Sequence, residues 1–240
     1  MEFGALLDDA FTYMKEGVFG NMNRWLNLIL ATICLGIPMN GYIMRIYRGA
    51  TPAPEVDQWG TLFIDGLKLV VVGLIYAIPI MILWAFIYGG MFLATITGRM
   101  NTAAMENWSP NLGLIVLMYL VEIIVGIIMP VASIRFARTG SFSEAFNFSA
   151  IFETIGKIGW ITYLIALIIV GIVICIPIFI IIIGFIVAGG AAIFLLHLGA
   201  IAFLGLLAVF VLVLLILSSL FSVFQARYLT KVYDSAAPAE

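Results

Sequence analysis

Two stretches of this chain fix its fold class by themselves. No charged residue stands between Lys68 and Arg99. Between Lys157 and Arg227 only His197 can carry a charge near neutral pH. A helix crossing a bilayer needs about 20 consecutive apolar residues, and both stretches exceed that. Backbone in hydrocarbon must satisfy its own hydrogen bonds, which leaves helices or a closed barrel. The apolar residues do not alternate with period 2, so a barrel is not expected. With 64% hydrophobic and 10% charged residues, against about 25% charged in soluble domains, the expectation is an all-α integral membrane protein. One membrane domain is expected to cover residues 1–240.

The polar interruptions repeat. Gly41 to Lys68 reads GYIMRIYRGATPAPEVDQWGTLFIDGLK, with two arginines, a turn held by Pro52 and Pro54, an acidic cluster and a short amphipathic segment. A weaker copy, ASIRFARTGSFSEAFNFSAIFETIGK, runs from Ala132 to Lys157. Each lies between long apolar segments and is expected to be a water-facing elbow joining two crossings. Further on, Ile78-Pro79-Ile80 and Gly89-Gly90 return as Ile176-Pro177-Ile178 and Gly189-Gly190. The expected organisation is an N-terminal unit (1–48), repeat one (49–138), repeat two (139–231) and a disordered tail (232–240).

Taken in order, residues 3–19 place Phe3, Leu6, Leu7, Phe11, Met14 and Val18 on one helical face, with Asp8, Asp9 and Glu16 opposite. That pattern predicts an amphipathic helix lying in the interface. Residues 25–44 predict one crossing kinked at Pro38. The alternative is a re-entrant hairpin with Leu35–Gly41 at its tip, which needs protein or water around its irregular backbone. Glu55–Lys68 predicts a separate elbow helix with Trp59, Leu62, Phe63 and Leu67 toward lipid. Crossings follow at 69–97 and 112–134, and Ser141 with Glu144 has the spacing of a capping box. Residues 158–225 predict two long helices. The total is about five transmembrane helices, alternatively six. The positive-inside rule then puts Arg45, Arg48, Lys68, Arg135, Arg138, Lys157, Arg227 and Lys231 on the cytoplasmic side of the cell membrane, with Lys15, Arg24 and Arg99 opposite if residues 25–44 cross. In the re-entrant alternative Lys15 and Arg24 join the cytoplasmic set.

Three elements around the first elbow resemble the multi-pass, mostly archaeal membrane family catalogued as domain of unknown function 4013. They are Gly41-Tyr42-x-x-Arg45, Pro54 with Trp59, and Phe63-x-Asp65-Gly66-x-Lys68. The resemblance implies a multi-pass fold and no particular reaction.

Glu122, near the middle of an apolar segment, is the first candidate for an intramembrane polar site. An ionised carboxylate there costs at least ~2.5 kcal/mol. His197 is a second candidate. Arg45/Arg48 and Arg135/Arg138 repeat an R-x-x-R spacing at equivalent helix ends, and Arg227 sits similarly. With Asp65 and Lys68 they are candidates for binding lipid headgroups or for tying elbows to helix ends. Pro38, Pro79, Pro130 and Pro177 interrupt apolar helices, as in transporters, but in a parallel repeat. The two Gly-Gly pairs predict close helix packing.

Cys34 and Cys175 lie inside apolar runs, which predicts neither a disulfide frame nor metal ligation. The acidic start, MEFGALLDDAF, does not resemble a cleaved signal peptide. A net charge of −2 points away from nucleic acid. No catalytic motif is present, so neither enzyme activity nor a cofactor is expected. The expected function is a membrane scaffold or lipid-interacting protein, with membrane lipids and a second copy or another membrane protein as partners. The alternative is a small transporter or channel built around Glu122.

Overall fold

A computed structural model describes residues 2–98, 109–194 and 199–237. Its helices are α1 (Phe3–Met14), α2 (Met22–Ile33), α3 (Ile37–Tyr47), α4 (Trp59–Ile96), α5 (Leu112–Thr139), α6 (Phe148–Ile158), α7 (Trp160–Phe194) and α8 (Ala200–Asp234). A π-helical turn (Lys15–Phe19) follows α1, and a 3-10 turn (Phe142–Phe146) precedes α6. Among the described residues, four helices are long and apolar enough to cross a membrane: α4, α5, α7 and α8.

Residues 25–44 do not form one kinked helix. α2 stops at Cys34, where Leu35 and Gly36 take positive φ angles of 57° and 68°. Pro38 therefore sits in the first turn of α3, where its missing N–H costs nothing. The two short helices form a hairpin with both ends on one side. Arg24 at the start of α2 pairs with Glu55, and Arg45 at the end of α3 reaches Glu55 and Asp57. Arg24 thus lies at the elbow end, not opposite it.

α3 is the centre of the molecule, with Tyr42, Met44 and Ile46 fully enclosed. It runs antiparallel to the first turns of α4 at backbone contact. A Cβ at Gly41 would lie 1.9 Å from the Leu62 carbonyl oxygen, and one at Gly66 would lie 1.7 Å from that of Ile37. Small residues let membrane helices approach this closely. Gly89, Gly90 and Gly190, by contrast, face open space. The closest helix approach is the work of Gly41 and Gly66.

The first elbow is not a separate helix. α4 runs unbroken from Trp59, and its stripe of Leu62, Gly66, Leu69, Val72 and Tyr76 faces the core. Leu62, expected toward lipid, is completely buried. The second elbow does break, because Gly159 at φ 92° turns the chain between α6 and α7. The first copy has Val70-Val71 at the same distance beyond its lysine. Nor does Ser141 cap a helix: Asn147 accepts from the Ala150 N–H, while Glu144 meets Arg135 and Asn147.

At the other end of the sequence, α8 continues past the expected start of a tail. Val232 is buried and Asp234 pairs with Arg138. α1 lies against α8 with Ala10 and Tyr13 buried. The core therefore fills only the elbow end. In the far halves of the long helices, Ile87 and Met118 are the buried large side chains among the described residues.

Candidate functional site

The free carbonyls and partial negative charge of a helix C-terminus attract cations, and both R-x-x-R pairs stand at such ends. Arg45, at the end of α3, donates to the carbonyls of Glu55 (2.9 Å) and Asp57 (3.0 Å) and pairs with the Asp57 carboxylate at 2.6 Å. It thereby folds the Pro-containing linker back onto α3. Arg48 pairs with Asp65 at 2.7 Å, and Lys68 stands 3.8 Å from the same carboxylate. Arg135, near the end of α5, pairs with Glu144. The hydrogen bonds from Arg135 and Asn147 hold the Glu144 carboxyl below its ordinary range.

The outer arginines of the two pairs exchange places. Arg48 Nε donates to the Ala137 carbonyl of α5 at 3.3 Å, and Arg138 Nε donates to the Tyr47 carbonyl of α3 at 2.6 Å. Each helix end is capped by the other's arginine. Arg138 also pairs with Asp234 at 2.7 Å and lies flat over Gly49, where a Cβ would meet its guanidinium at 3.3 Å. One node thus ties the ends of α3, α5 and α8.

A second polar centre was not expected. Arg227 is 5% exposed and binds Asp9 of α1 through two hydrogen bonds of 2.7 and 3.1 Å. It also donates to Thr51 Oγ1 at 2.8 Å and lies 4.5 Å over the Tyr13 ring. Burial pushes the Asp9 carboxyl up, but the hydrogen bonds and charge of Arg227, with help from Lys231, hold it below its ordinary 3.8. Burial also raises the Tyr13 hydroxyl to about 12, so it stays protonated and donates to the Ala50 carbonyl. A cavity of about 530 Å³ lies here between α1, Arg24, Arg227 and residues 51–53. The sequence carried one signal of this centre: a lone arginine after a long uncharged run needs a partner, and α1 offers the acids.

A second cavity, of about 390 Å³, has no polar wall. Ile75, Tyr76 and Pro79 of α4 face Val121, Ile124 and Val125 of α5 across it, and Phe146 and Phe148 close the elbow side. Tyr76 turns its hydroxyl away, donating to the Ala145 carbonyl at 2.6 Å. Glu122 lines neither cavity. It is half-buried on α5 and has no hydrogen-bond or ion-pair partner among the described residues. His197 lies outside the described residues. Cys34 and Cys175 are exposed on apolar surface, and no group of metal-binding side chains occurs among the described residues.

No curated protein and no solved structure matches this chain. Residues 26–185, two thirds of the sequence, match the family described as Protein of unknown function (DUF4013). That span includes the Gly41–Gly66 contact, both R-x-x-R pairs and both walls of the apolar cavity. The chain belongs to the DUF4013 family.

Proposed function

We propose that the protein is a non-enzymatic, lipid-interacting component of the cell membrane, with four crossings, a re-entrant α2–α3 hairpin and cytoplasmic elbows. The observation that carries this reading is the all-apolar cavity between α4, α5 and the second elbow. It lies along membrane-spanning segments and offers no hydrogen-bonding wall, which suits a hydrocarbon chain. The hairpin is equipped for hydrocarbon too. Its turn pairs its own backbone: Leu35 N–H with Ile33 O, Gly36 N–H with Thr32 O, and Ile37 N–H with Cys34 O. Asn40 adds a bond to the Gly36 carbonyl, and the apolar tip residue Leu35 is 88% exposed. Irregular backbone otherwise pays heavily at membrane depth.

Native mass spectrometry of the detergent-extracted protein tests the reading. Ile75→Trp with Ile124→Trp fills the cavity from two walls that are already exposed. The variant is expected to retain fewer lipids than the parent at unchanged melting temperature. Equal lipid retention overturns the reading.

One observation favours a transporter instead: Glu122 is half-buried and unpaired among the described residues. A site of that kind requires proton- or cation-linked flux that Glu122→Gln abolishes. Under the lipid-interacting reading, liposomes carrying parent or Glu122→Gln protein dissipate a pH gradient at the same slow rate. A parent-specific flux lost in the variant selects the transporter.

A further inference from the structure

The short helices all sit at one end of the long ones. Among the described residues, the hydrogen bonds, ion pairs and ring contacts that tie short elements to long helices reach no deeper than Tyr76 in α4, Arg135 in α5, Trp160 in α7 and Arg227 in α8. The elbow end therefore holds α1, α2, α3 and α6 beside the four long helices. Further along, the described residues form those four helices alone. A helix with its side chains is about 10–12 Å across, so the molecule covers about twice the area at the elbow end.

α2 is built for hydrocarbon on both sides. Leu28 and Ala31 face the core, while Met22, Leu26, Leu30 and Ile33 form an outward stripe, each more than half exposed. They follow one another at intervals of four and three, which is one face of a helix. The polar residues Asn23, Arg24 and Asn27 stand toward the elbow end. Deeper in α2, Thr32 returns its hydroxyl to the Leu28 carbonyl at 2.9 Å. With its 12 residues, α2 is about 18 Å long. The hairpin is therefore too short for a hydrocarbon core of ~30 Å and reaches about its middle. An apolar stripe on a hairpin of that length fits the acyl region of one leaflet. α6 adds bulk nearer the headgroups, with Phe148 and Phe152 outward and Glu153 and Lys157 in water, the division of an interfacial helix.

We infer that the protein is a one-leaflet wedge that gathers where the membrane bends with the elbow side convex. Such bending opens lateral space in the elbow leaflet and closes it in the other. A body broad on the elbow side costs less there than in a flat bilayer, as for amphipathic helices that respond to curvature. The α2 stripe holds the added bulk inside the leaflet. The inference rests on the proposed four crossings and embedded hairpin, and not on the lipid cavity between α4 and α5.

The test uses the full chain, with a dye at its C-terminus, in giant vesicles from which narrow tubes are pulled outward. A membrane-impermeant quencher separates copies whose elbow end faces out from those whose elbow end faces in. Outward-facing copies are expected to be enriched several-fold in the tubes relative to a lipid dye, and inward-facing copies depleted. Leu26→Gln with Leu30→Gln is expected to lose most of that enrichment at unchanged melting temperature, because both side chains already face outward. Equal densities in tube and vesicle, or an enrichment that the variant keeps, overturn the inference. Two bleaching steps per spot in the parent and one in the variant overturn it in favour of a second copy seated on the stripe. A dye at the N-terminus tests the underlying reading separately: with four crossings and an embedded hairpin it is quenched together with the C-terminal dye. Opposite exposure of the two ends overturns that reading itself, whereas same-side ends without enrichment overturn the wedge alone.

Discussion

Replacing Gly66 with alanine is expected to abolish or nearly abolish the folded protein. The added methyl would stand 1.7 Å from the Ile37 carbonyl oxygen, with the Gly41 nitrogen at 2.9 Å. Both obstacles are backbone, so no rotamer change relieves them, and α3 must move away from α4. Overpacking a core costs about 1–3 kcal/mol where side chains can shift. Here the cost lies at or beyond the top of that range, against a total stability of about 5–15 kcal/mol. Gly41→Ala meets the Leu62 carbonyl at 1.9 Å and is expected to behave alike. The control lies on the same helix: Gly60 has nothing within 4 Å, so Gly60→Ala should be neutral or stabilise by up to ~1 kcal/mol. Thermal unfolding in detergent, followed by size exclusion, separates these outcomes. Equal melting of Gly66→Ala and Gly60→Ala would show that α3 and α4 do not meet at backbone distance.

Arg227→Met is expected to release α1 from α8. The substitution keeps an unbranched stem but leaves Asp9 and Thr51 without their main partner. Breaking a buried pair costs about 3–5 kcal/mol, and the lower figure applies because Asp9 is a third exposed. Limited proteolysis is expected to cut within residues 1–20 of the variant and spare the parent. The same pair predicts a pH dependence. The folded Asp9 carboxyl lies below its ordinary 3.8, so its contribution is complete above that value. It is lost as the pH falls through the lowered one. Asp9→Asn removes this acid-side loss, and an unchanged acid limb in that variant would deny Asp9 the role.

The sequence carried the membrane class, the long helices and the position of the elbows, because these follow from hydropathy and from the charges between apolar runs. It also singled out Gly41 and Gly66, though as motif letters and not as a contact. Nothing local says that two glycines 25 residues apart will face one another across a helix pair. The break at Leu35-Gly36 was equally hidden. Apolar residues continue through it, and Pro38, the obvious interruption, is harmless in a first turn. Leu62 was misassigned because an amphipathic segment has no outside until its neighbours are known. The basic residues were legible as a set, and so was their pairing with acids of the adjoining elbows, as in Arg45–Asp57, Arg48–Asp65 and Arg135–Glu144. The arginine exchange between α3 and α5 depends instead on how distant helix ends meet. Asp9 and Arg227, separated by nearly the whole chain, are the extreme case.

The exchange of arginines between Tyr47 and Ala137 has a consequence for chain continuity. Cut the polypeptide between α4 and α5, and each piece keeps one half of every tie that joins them. The first holds the Tyr47 carbonyl, Arg48, Thr51 and Asp9, and the second holds Arg138, the Ala137 carbonyl and Arg227. Each piece supplies a cap for the other's helix end, and Arg227 of the second finds its carboxylate, Asp9, in the first. The ties between the two halves of the chain therefore run through side chains of both, and neither half carries a complete set by itself.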